Sequence, residues 1–320
     1  MDDFRHSALV QPAGRPGLSS ASNLSATLIA VLVAVTDDEP RVLTVSHAEA
    51  LPAGPFAVTD RSLQASLRAW VERQTGTPLG YVEQLYTFAD QGQAANPDGP
   101  AIAISYLGLM REAHVPEGFA ASWQNWYRFF PWEDRRAGPG VTQALLARLQ
   151  DWVAAHPAQA ERVALTFGAA HPSEDGPAWN EDLALQRYEL LYEAGLVPEA
   201  PSPVSSSSHA GAAMLHDHRR ILATAIARLR AKIKYHPVIF ELMPERFTLL
   251  HLQRVFEAVA GRRLHKQNFR RLMEQQGLVE ETGALAFDTG GRPAKLYRFK
   301  RAVMQERAIS GTKLPLTPLR

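Results

Sequence analysis

The sequence predicts an α+β chain, with a mixed α/β sandwich first and a winged helix-turn-helix after it. Three observations carry this. The first 110 residues run strand, strand, helix, strand, polar loop, strand, an order that suits a sandwich rather than a doubly wound sheet. Residues 247–299 read as a helix, a tight turn, a second and very basic helix, and a hairpin tipped by Gly290, Gly291 and Arg292. Charge is also split between the two parts. Residues 214–303 hold 18 Lys/Arg against 8 Asp/Glu, residues 1–213 hold 13 against 24, and residues 304–320 hold 3 against 1. The whole-chain +1 therefore conceals segments of +10, −11 and +2.

Each element follows from its local pattern. Residues 1–21 are rich in Pro, Gly and Ser and are expected to be disordered. Residues 22–136 make the sandwich. Within it SATLIAVLVAV, residues 25–35, has the length and branched content of a buried strand. Asp37, Asp38, Glu39 and Pro40 form a turn, and residues 41–46 the returning strand. Residues 63–74 are an amphipathic helix with Leu63, Leu67, Trp70 and Val71 on one face. Thr59 or Asp60 is expected to cap its start and Gly76 to end it. Residues 81–88 alternate like a strand, 90–100 form a polar Gly-rich loop, and 101–110 are a further apolar strand. Trp123, Trp126, Tyr127, Phe129, Phe130 and Trp132 form an aromatic cluster. Residues 137–213 are an added block: amphipathic helices at 141–155 and 181–194, then the linker-like PEAPSPVSSSSHAGAA of 198–213.

The third unit spans residues 214–303. A connecting helix covers 214–235, with Ile221, Ala225, Leu229 and Ile233 on one face. Arg219, Arg220, Arg228, Arg230, Lys232 and Lys234 occupy its other faces. Thr248 caps the next helix, Leu249, Leu252, Phe256 and Val259 form its buried stripe, and Gly261 stops it. Residues 266–275 form the second helix, with Phe269, Leu272 and Met273 inward. Gly277 ends it, and residues 304–320 read as a flexible tail.

A basic helix followed by a basic, Gly-tipped hairpin is how a winged module holds double-stranded DNA. The candidate contacts are Arg262, Arg263, Lys266, Gln267, Asn268, Arg270, Arg271, Arg292 and Lys295. Asn and Gln suit adenine edges, and Arg suits guanine or phosphate. The blander readings are a solvated helical face or a protein-binding winged helix; the clustering of cations favours DNA. A single such module has a short footprint, which points to a homodimer on a symmetric site.

Other classes are set aside. The absence of cysteine excludes disulfides, thiol catalysis and thiolate zinc sites. The first 17 residues contain no apolar core of a secretory signal. The apolar run 26–35 is about half what crosses a bilayer, so the expected location is the cytoplasm, with no membrane partner. No GxGxxG, P-loop or GxSxG occurs. His216-x-His218 has no third ligand at a convincing spacing and is read as structural.

DHRRILATAIARLRAKIKYHPVIFELMPERFTLLHLQ at 217–253 and TGGRPAKLYRF at 289–299 are long, specific runs. With LQASLRAWVERQTG and YVEQLYTFAD on the N-terminal side, the chain resembles the Nudix-related transcriptional regulators of NAD metabolism. The resemblance implies a Nudix-like α/β/α sandwich as sensor and a C-terminal winged helix on DNA. It also implies a homodimer, and an NAD-related nucleotide such as ADP-ribose as effector. The block 137–213 is not part of that family's plan.

An active Nudix box runs G-x5-E-x7-R-E-U-x-E-E-x-G-U, its carboxylates holding the Mg²⁺ that bridges a diphosphate. Anchored on Gly76, its first Gly becomes Pro55 and its first Glu becomes Arg61. Arg-Glu becomes Ala69-Trp70, and Glu-Glu becomes Arg73-Gln74. Only Glu72 stands nearby, with Glu83 on another element. Hydrolysis by this box is expected to be lost, with no catalytic residue, resident metal or cofactor. Nucleotide binding needs only shape and cations. Arg41, Arg111 and Arg128 are candidate diphosphate contacts and Trp126 a candidate stacking partner, unless the aromatic cluster is core. The preferred reading is a ligand-responsive repressor of NAD-metabolism genes. The alternative is a divergent nucleotide diphosphate hydrolase carrying a nucleic-acid-binding domain.

Overall fold

The computed structural model describes residues 25–56, 62–80, 82–88, 101–168, 179–204, 209–235, 238–287 and 293–300. The expected disordered N-terminus, the Thr59 or Asp60 cap, Arg61, the 90–100 loop, the wing tip with Arg292 and the C-terminal tail lie outside these residues.

Strand β1 (Ser25–Thr36) is the spine of the sandwich. Strand β5 (Ala101–Leu109) runs parallel along one side of it, from Ser25↔Ala101 to Val33↔Leu109. On the other side, β2 (Glu39–Val45) pairs antiparallel with its end and β3 (Ala53–Pro55) with its beginning. Strands β4 (Val82–Phe88) and β6 (Ala121–Asn125) complete the order β4-β5-β1-β2-β6. The turn after β1 places Asp37 and Asp38 at φ 53° and 61°. Two left-handed residues match the twist of a tight hairpin, and Asp tolerates them better than most. Residues 28–34 of β1 are all buried because both sheet faces are covered.

Helix α1 (Leu63–Thr75) covers one face, packing Leu67 and Val71 on Leu28, Ala30, Leu32 and Leu43. Its cap is Ser62 rather than Thr59 or Asp60: the hydroxyl accepts from the Ala65 backbone N–H at 3.1 Å. The helix starts directly after Ser62, so earlier residues lie too far upstream to cap it. Gly76 ends it at φ 65°, in the left-handed form that glycine adopts without strain.

The other face meets the aromatic cluster, the added block and the connecting helix in one continuous core. The added block holds α2 (Gly140–Ala155), an unanticipated short helix α3 (Ala160–Phe167), and α4 (Ala184–Glu193). Its expected linker is packed at both ends. Ala200 and Ala210 are buried, and the Ala212 N–H donates to the Arg128 carbonyl at 2.9 Å. At Gly211 (φ 73°) an added Cβ would stand 2.3 Å from the Phe129 carbonyl oxygen. Small residues that read as flexibility here serve close backbone approach.

Helix α5 (His218–Tyr235) begins four residues later than the periodicity suggested, because His216 turns left-handed at φ 52°. Arg219 and Arg230, expected on outer faces, are fully buried, since the added block covers those faces. The winged domain follows: α6 (Leu249–Ala260), α7 (Lys266–Gln276), β7 (Val279–Ala286) and β8 (Ala294–Phe299). Thr248 caps α6 through the His251 N–H, and Gly261 and Gly277 close α6 and α7 at φ 72° and 59°. Phe269 and Met273 point inward, but Leu272 sits at the rim and is 46% exposed. Leu272 precedes Met273 by one residue, which turns it about 100° away from that side chain and onto the rim. Among the described residues, no helix is long and apolar enough to cross a membrane.

Candidate nucleic-acid interface and sensor cavity

Helix α7 is held by two buried anchors and leaves the rest of its surface to solvent. Phe269 meets the Phe256 ring edge-on at 5.5 Å, and Met273 lies one turn further along. Lys266, Gln267, Asn268, Arg270 and Arg271 are all exposed. Of the expected DNA contacts, these five therefore share one helix and one solvent-facing surface. The C-terminal end of α7 meets the wing, where a Cβ added at Gly277 would stand 3.3 Å from Lys300 Nζ, the residue after β8. The hairpin is internally charge-paired: Lys295 contacts Glu281 at 2.8 Å and Arg298 contacts Glu280 at 2.8 Å. Arg262 and Arg263, in the turn before α7, stand apart from the five. Arg262 reaches Glu181 at 3.4 Å and Arg263 reaches Glu257 at 2.9 Å.

The winged domain is tied to the sandwich by buried polar contacts. The Glu133 carboxylate lies between Arg187 of α4, at 2.5 Å, and Arg230 of α5, with all three side chains at 0% exposure. Burial pushes the Glu133 carboxyl up, but Arg187 and Arg230 pull harder and hold it below the usual carboxylate range. Arg230 also donates to the Val259 carbonyl at 2.9 Å, and the Tyr127 hydroxyl donates to the Ala258 carbonyl at 2.6 Å. The Arg135 N–H donates to the Gly261 carbonyl at 2.7 Å. Sandwich, added block, connecting helix and α6 thus meet at one carboxylate. No sequence pattern exposes this node, because a buried arginine is recognisable only with its distant partner in place.

On α1 the face that carries carboxylates in an active box is arranged otherwise. Trp70 lies over Gly54, where an added Cβ would stand 2.0 Å from its ring, and its Nε1–H donates to the Pro55 carbonyl at 3.0 Å. The Arg73 guanidinium covers that ring 4.0 Å from its centroid. Gln74 clasps the backbone of Ala53, accepting from its N–H at 3.0 Å and donating to its carbonyl at 2.7 Å. A carboxylate at position 74 could accept but not donate, so it would leave the Ala53 carbonyl without that partner. Cation, indole and amide do not fit a hard divalent ion, which requires oxygen anions. Among the described residues, no three His, Cys, Asp or Glu side chains gather closely enough to hold a metal.

Beside Gln74 opens a cavity of about 450 Å³ between the sheet and the first turn of α5. Thr27, Ser46, Gly54, Gln74, His216 and His218 are among its lining residues, and no Lys or Arg is. Ser46, which lines it, begins a run with His47 and Ala48 at φ of 52°, 57° and 72°. Such runs of left-handed non-glycine residues cluster at functional sites. His218 accepts from the Leu51 N–H at 3.0 Å through Nδ1, and burial, with His216 nearby, lowers its pKa to about 4. The His-x-His pair is thus structural on one side and cavity-facing on the other.

The four residues expected at an effector site do not come together there. Trp126 is fully buried in the aromatic core and has no face to offer a ligand; its rigid flat ring fills the sheet-to-α5 interior instead. Arg41 is paired with Glu112 at 3.1 Å and Asp37 at 3.6 Å, Arg128 donates to Gln124 at 2.8 Å, and Arg111 is exposed. None of the three lines the cavity.

Fold and site together define a mixed α/β sandwich joined through a buried helix to a winged helix-turn-helix. Residues 239–299 match the family model of the NrtR DNA-binding winged helix domain. An ADPR responsive transcriptional repressor NtrR of Acinetobacter baylyi is 46% identical over 83 residues, 26% of this chain. That match spans about a third, 33%, of the length of this curated relative. The Shewanella oneidensis NrtR solved with a 27mer DNA superposes with a TM-score of 0.52 and 20% identity, over 88% of this chain and 95% of that one. A MutT/nudix family protein from Enterococcus faecalis superposes with a TM-score of 0.52 and 18% identity, over 89% and 90%.

Proposed function

We propose that this chain is a DNA-binding transcriptional repressor whose Nudix-like domain binds ADP-ribose or a related NAD-derived nucleotide without hydrolysing it. The observation that carries the reading is the exposed basic face of α7, Lys266 to Arg271, standing next to a wing on a module that matches a DNA-binding family. That face would enter a major groove, with Gln267 and Asn268 available to base edges and the arginines to guanine or phosphate. Lys295 and Arg292 would follow the backbone from the wing. The curated relative's response to ADPR supports the effector class. In this reading the cavity beside Gln74, in place of Trp126 and the scattered arginines, takes the ribose and base of the effector and leaves the diphosphate toward solvent, since no Lys or Arg lines it. Its hydroxyl, amide and imidazole lining suits ribose hydroxyls and a base edge.

Trp70, Arg73 and Gln74, at the positions where the box pattern calls for carboxylates, support binding without hydrolysis. Two copies of the chain would place two α7 helices on a symmetric operator, one helical turn apart. The reading is tested by a mobility shift on the gene's own upstream region, with and without ADP-ribose, alongside Arg270→Ala/Arg271→Ala. The double variant should lose about 1–3 kcal/mol for each contact removed. Light scattering should give a dimer on DNA. Metal-dependent turnover of a nucleoside diphosphate derivative, or an absence of salt-sensitive DNA binding, would overturn it.

A further inference from the structure

We infer that the added block and the tail of the sandwich extend the DNA-binding surface with a phosphate cradle formed by Arg135, Arg262 and Arg263 around Trp179. The inference rests on the DNA-binding reading above and adds a second, separate contact region to it.

The geometry is a cleft of about 340 Å³ lined by Arg135, Pro139, Trp179, Arg262 and Arg263. Three guanidiniums on one small concavity repel one another unless an anion joins them. Trp179 holds the arrangement in place. Its ring lies 3.7 Å from the Arg187 guanidinium and 4.3 Å from that of Arg135. The Arg187 charge is met by Glu133. Among the described residues Arg135 forms no ion pair within 4 Å; Glu133 acts on it only at longer range, and that carboxylate is already held by Arg187 and Arg230. Its backbone N–H donates to the Gly261 carbonyl at 2.7 Å, which sets its stem next to the turn that precedes α7.

The other two arginines are loosely held. Arg262 and Arg263 side chains are 54% and 64% exposed, and pairs at such exposure contribute little. Their carboxylates keep other partners when an arginine swings away. Glu181 retains Lys234 at 3.2 Å, and Glu257 retains the Leu264 N–H at 2.9 Å and the Gln253 amide at 2.8 Å. In a helix-turn-helix the first helix crosses the DNA backbone while the second lies in the groove, which brings the α6–α7 turn near a strand. A guanidinium fork matches a phosphodiester bidentately. The occupant is accordingly a DNA phosphate flanking the groove read by α7.

The test is the salt dependence of operator binding for the full chain and for Arg135→Gln, Arg135→Lys and Trp179→Ala. Each phosphate contact adds about 0.9 to the slope of log affinity against log salt. Arg135→Gln should reduce the slope by about 0.9, Arg135→Lys should keep it, and Trp179→Ala should weaken it. Arg135→Gln keeps the backbone bond to Gly261, so an unchanged unfolding midpoint separates the effect from misfolding. A wild-type chain that binds DNA, with the slope unchanged in Arg135→Gln and Trp179→Ala, overturns the cradle alone. A wild-type chain that binds no duplex overturns the DNA reading and the cradle with it. Calorimetry with ADP-ribose provides the last arm: if Arg135→Gln abolishes that binding and leaves the DNA slope intact, the cleft takes a free diphosphate and the proposal fails.

Discussion

Glu133 joins the sandwich, the added block and the connecting helix through one buried carboxylate. It touches Arg187, 54 residues downstream, and Arg230, 97 residues downstream, inside a fully buried pocket. Replacing it with Gln leaves two buried guanidiniums without a counter-charge. Breaking a buried pair in this way costs about 3–5 kcal/mol, to be read from denaturant unfolding. His218 offers a pH test at the same scale. Its folded pKa of about 4 lies below the ordinary 6.5, so the unfolded chain takes up the proton first. The associated stability is complete above pH 6.5 and declines as pH falls toward 4. The full loss is about 3 kcal/mol at roughly 1.4 kcal/mol per pH unit. The Glu133 contribution also belongs to the high-pH side, but it fades only below the usual carboxylate range. Stability measured at pH 7 and pH 5 should therefore fall in the wild type, and the fall should shrink in His218→Gln, whose amide oxygen can still accept from the Leu51 N–H.

At the scale of elements, legibility followed locality. Helices α6 and α7 were readable because their caps are adjacent in sequence: Thr248, Gly261 and Gly277 each act within one turn. The β1–β2 hairpin and the end of α1 were readable for the same reason. Helix α3 was not, being eight residues without a side-chain cap. Nor were the buried Arg187, Arg219 and Arg230, whose partners lie far along the chain. For the site, the exposed face of α7 could be read from helical periodicity. The cavity could not, since β1, β3, β5 and the start of α5 build it only after folding. Gly261 shows the difference. The sequence identifies it as a helix stop, whereas the structure adds that its missing Cβ admits the Glu133 carbonyl oxygen, 2.1 Å from where that atom would stand. Gly261→Ala should strain a φ of 72° and force α6 off the sandwich, costing about 1–3 kcal/mol. Gly277→Ala, whose nearest neighbour is the flexible Lys300 Nζ at 3.3 Å, is the milder control. With α7 intact, Gly261→Ala should still bind operator in a mobility shift but respond weakly to ADP-ribose.

Across the whole molecule, helix α5 spans the distance between the two proposed sites. Its first turn closes the cavity through His218, and near its other end Arg230 is fixed to Glu133 and to the Val259 carbonyl of α6. A ligand that displaces His216 or Asp217 must therefore push on a rigid rod whose far end positions the winged domain. Eighteen residues of helix, about 27 Å long, transmit a tilt with little damping. In a dimer the same tilt would change the spacing of the two α7 helices against a fixed half-site separation. Such coupling is reciprocal by thermodynamic necessity. If ADP-ribose weakens operator binding tenfold, operator must weaken ADP-ribose binding tenfold, a coupling of about 1.4 kcal/mol. Calorimetry of ADP-ribose into the free chain and into its operator complex, with mobility shifts at matched salt, measures both sides. Equal factors are expected. Tight ADP-ribose binding that is indifferent to operator would leave the cavity as a ligand site uncoupled from DNA, and α5 as a passive tether.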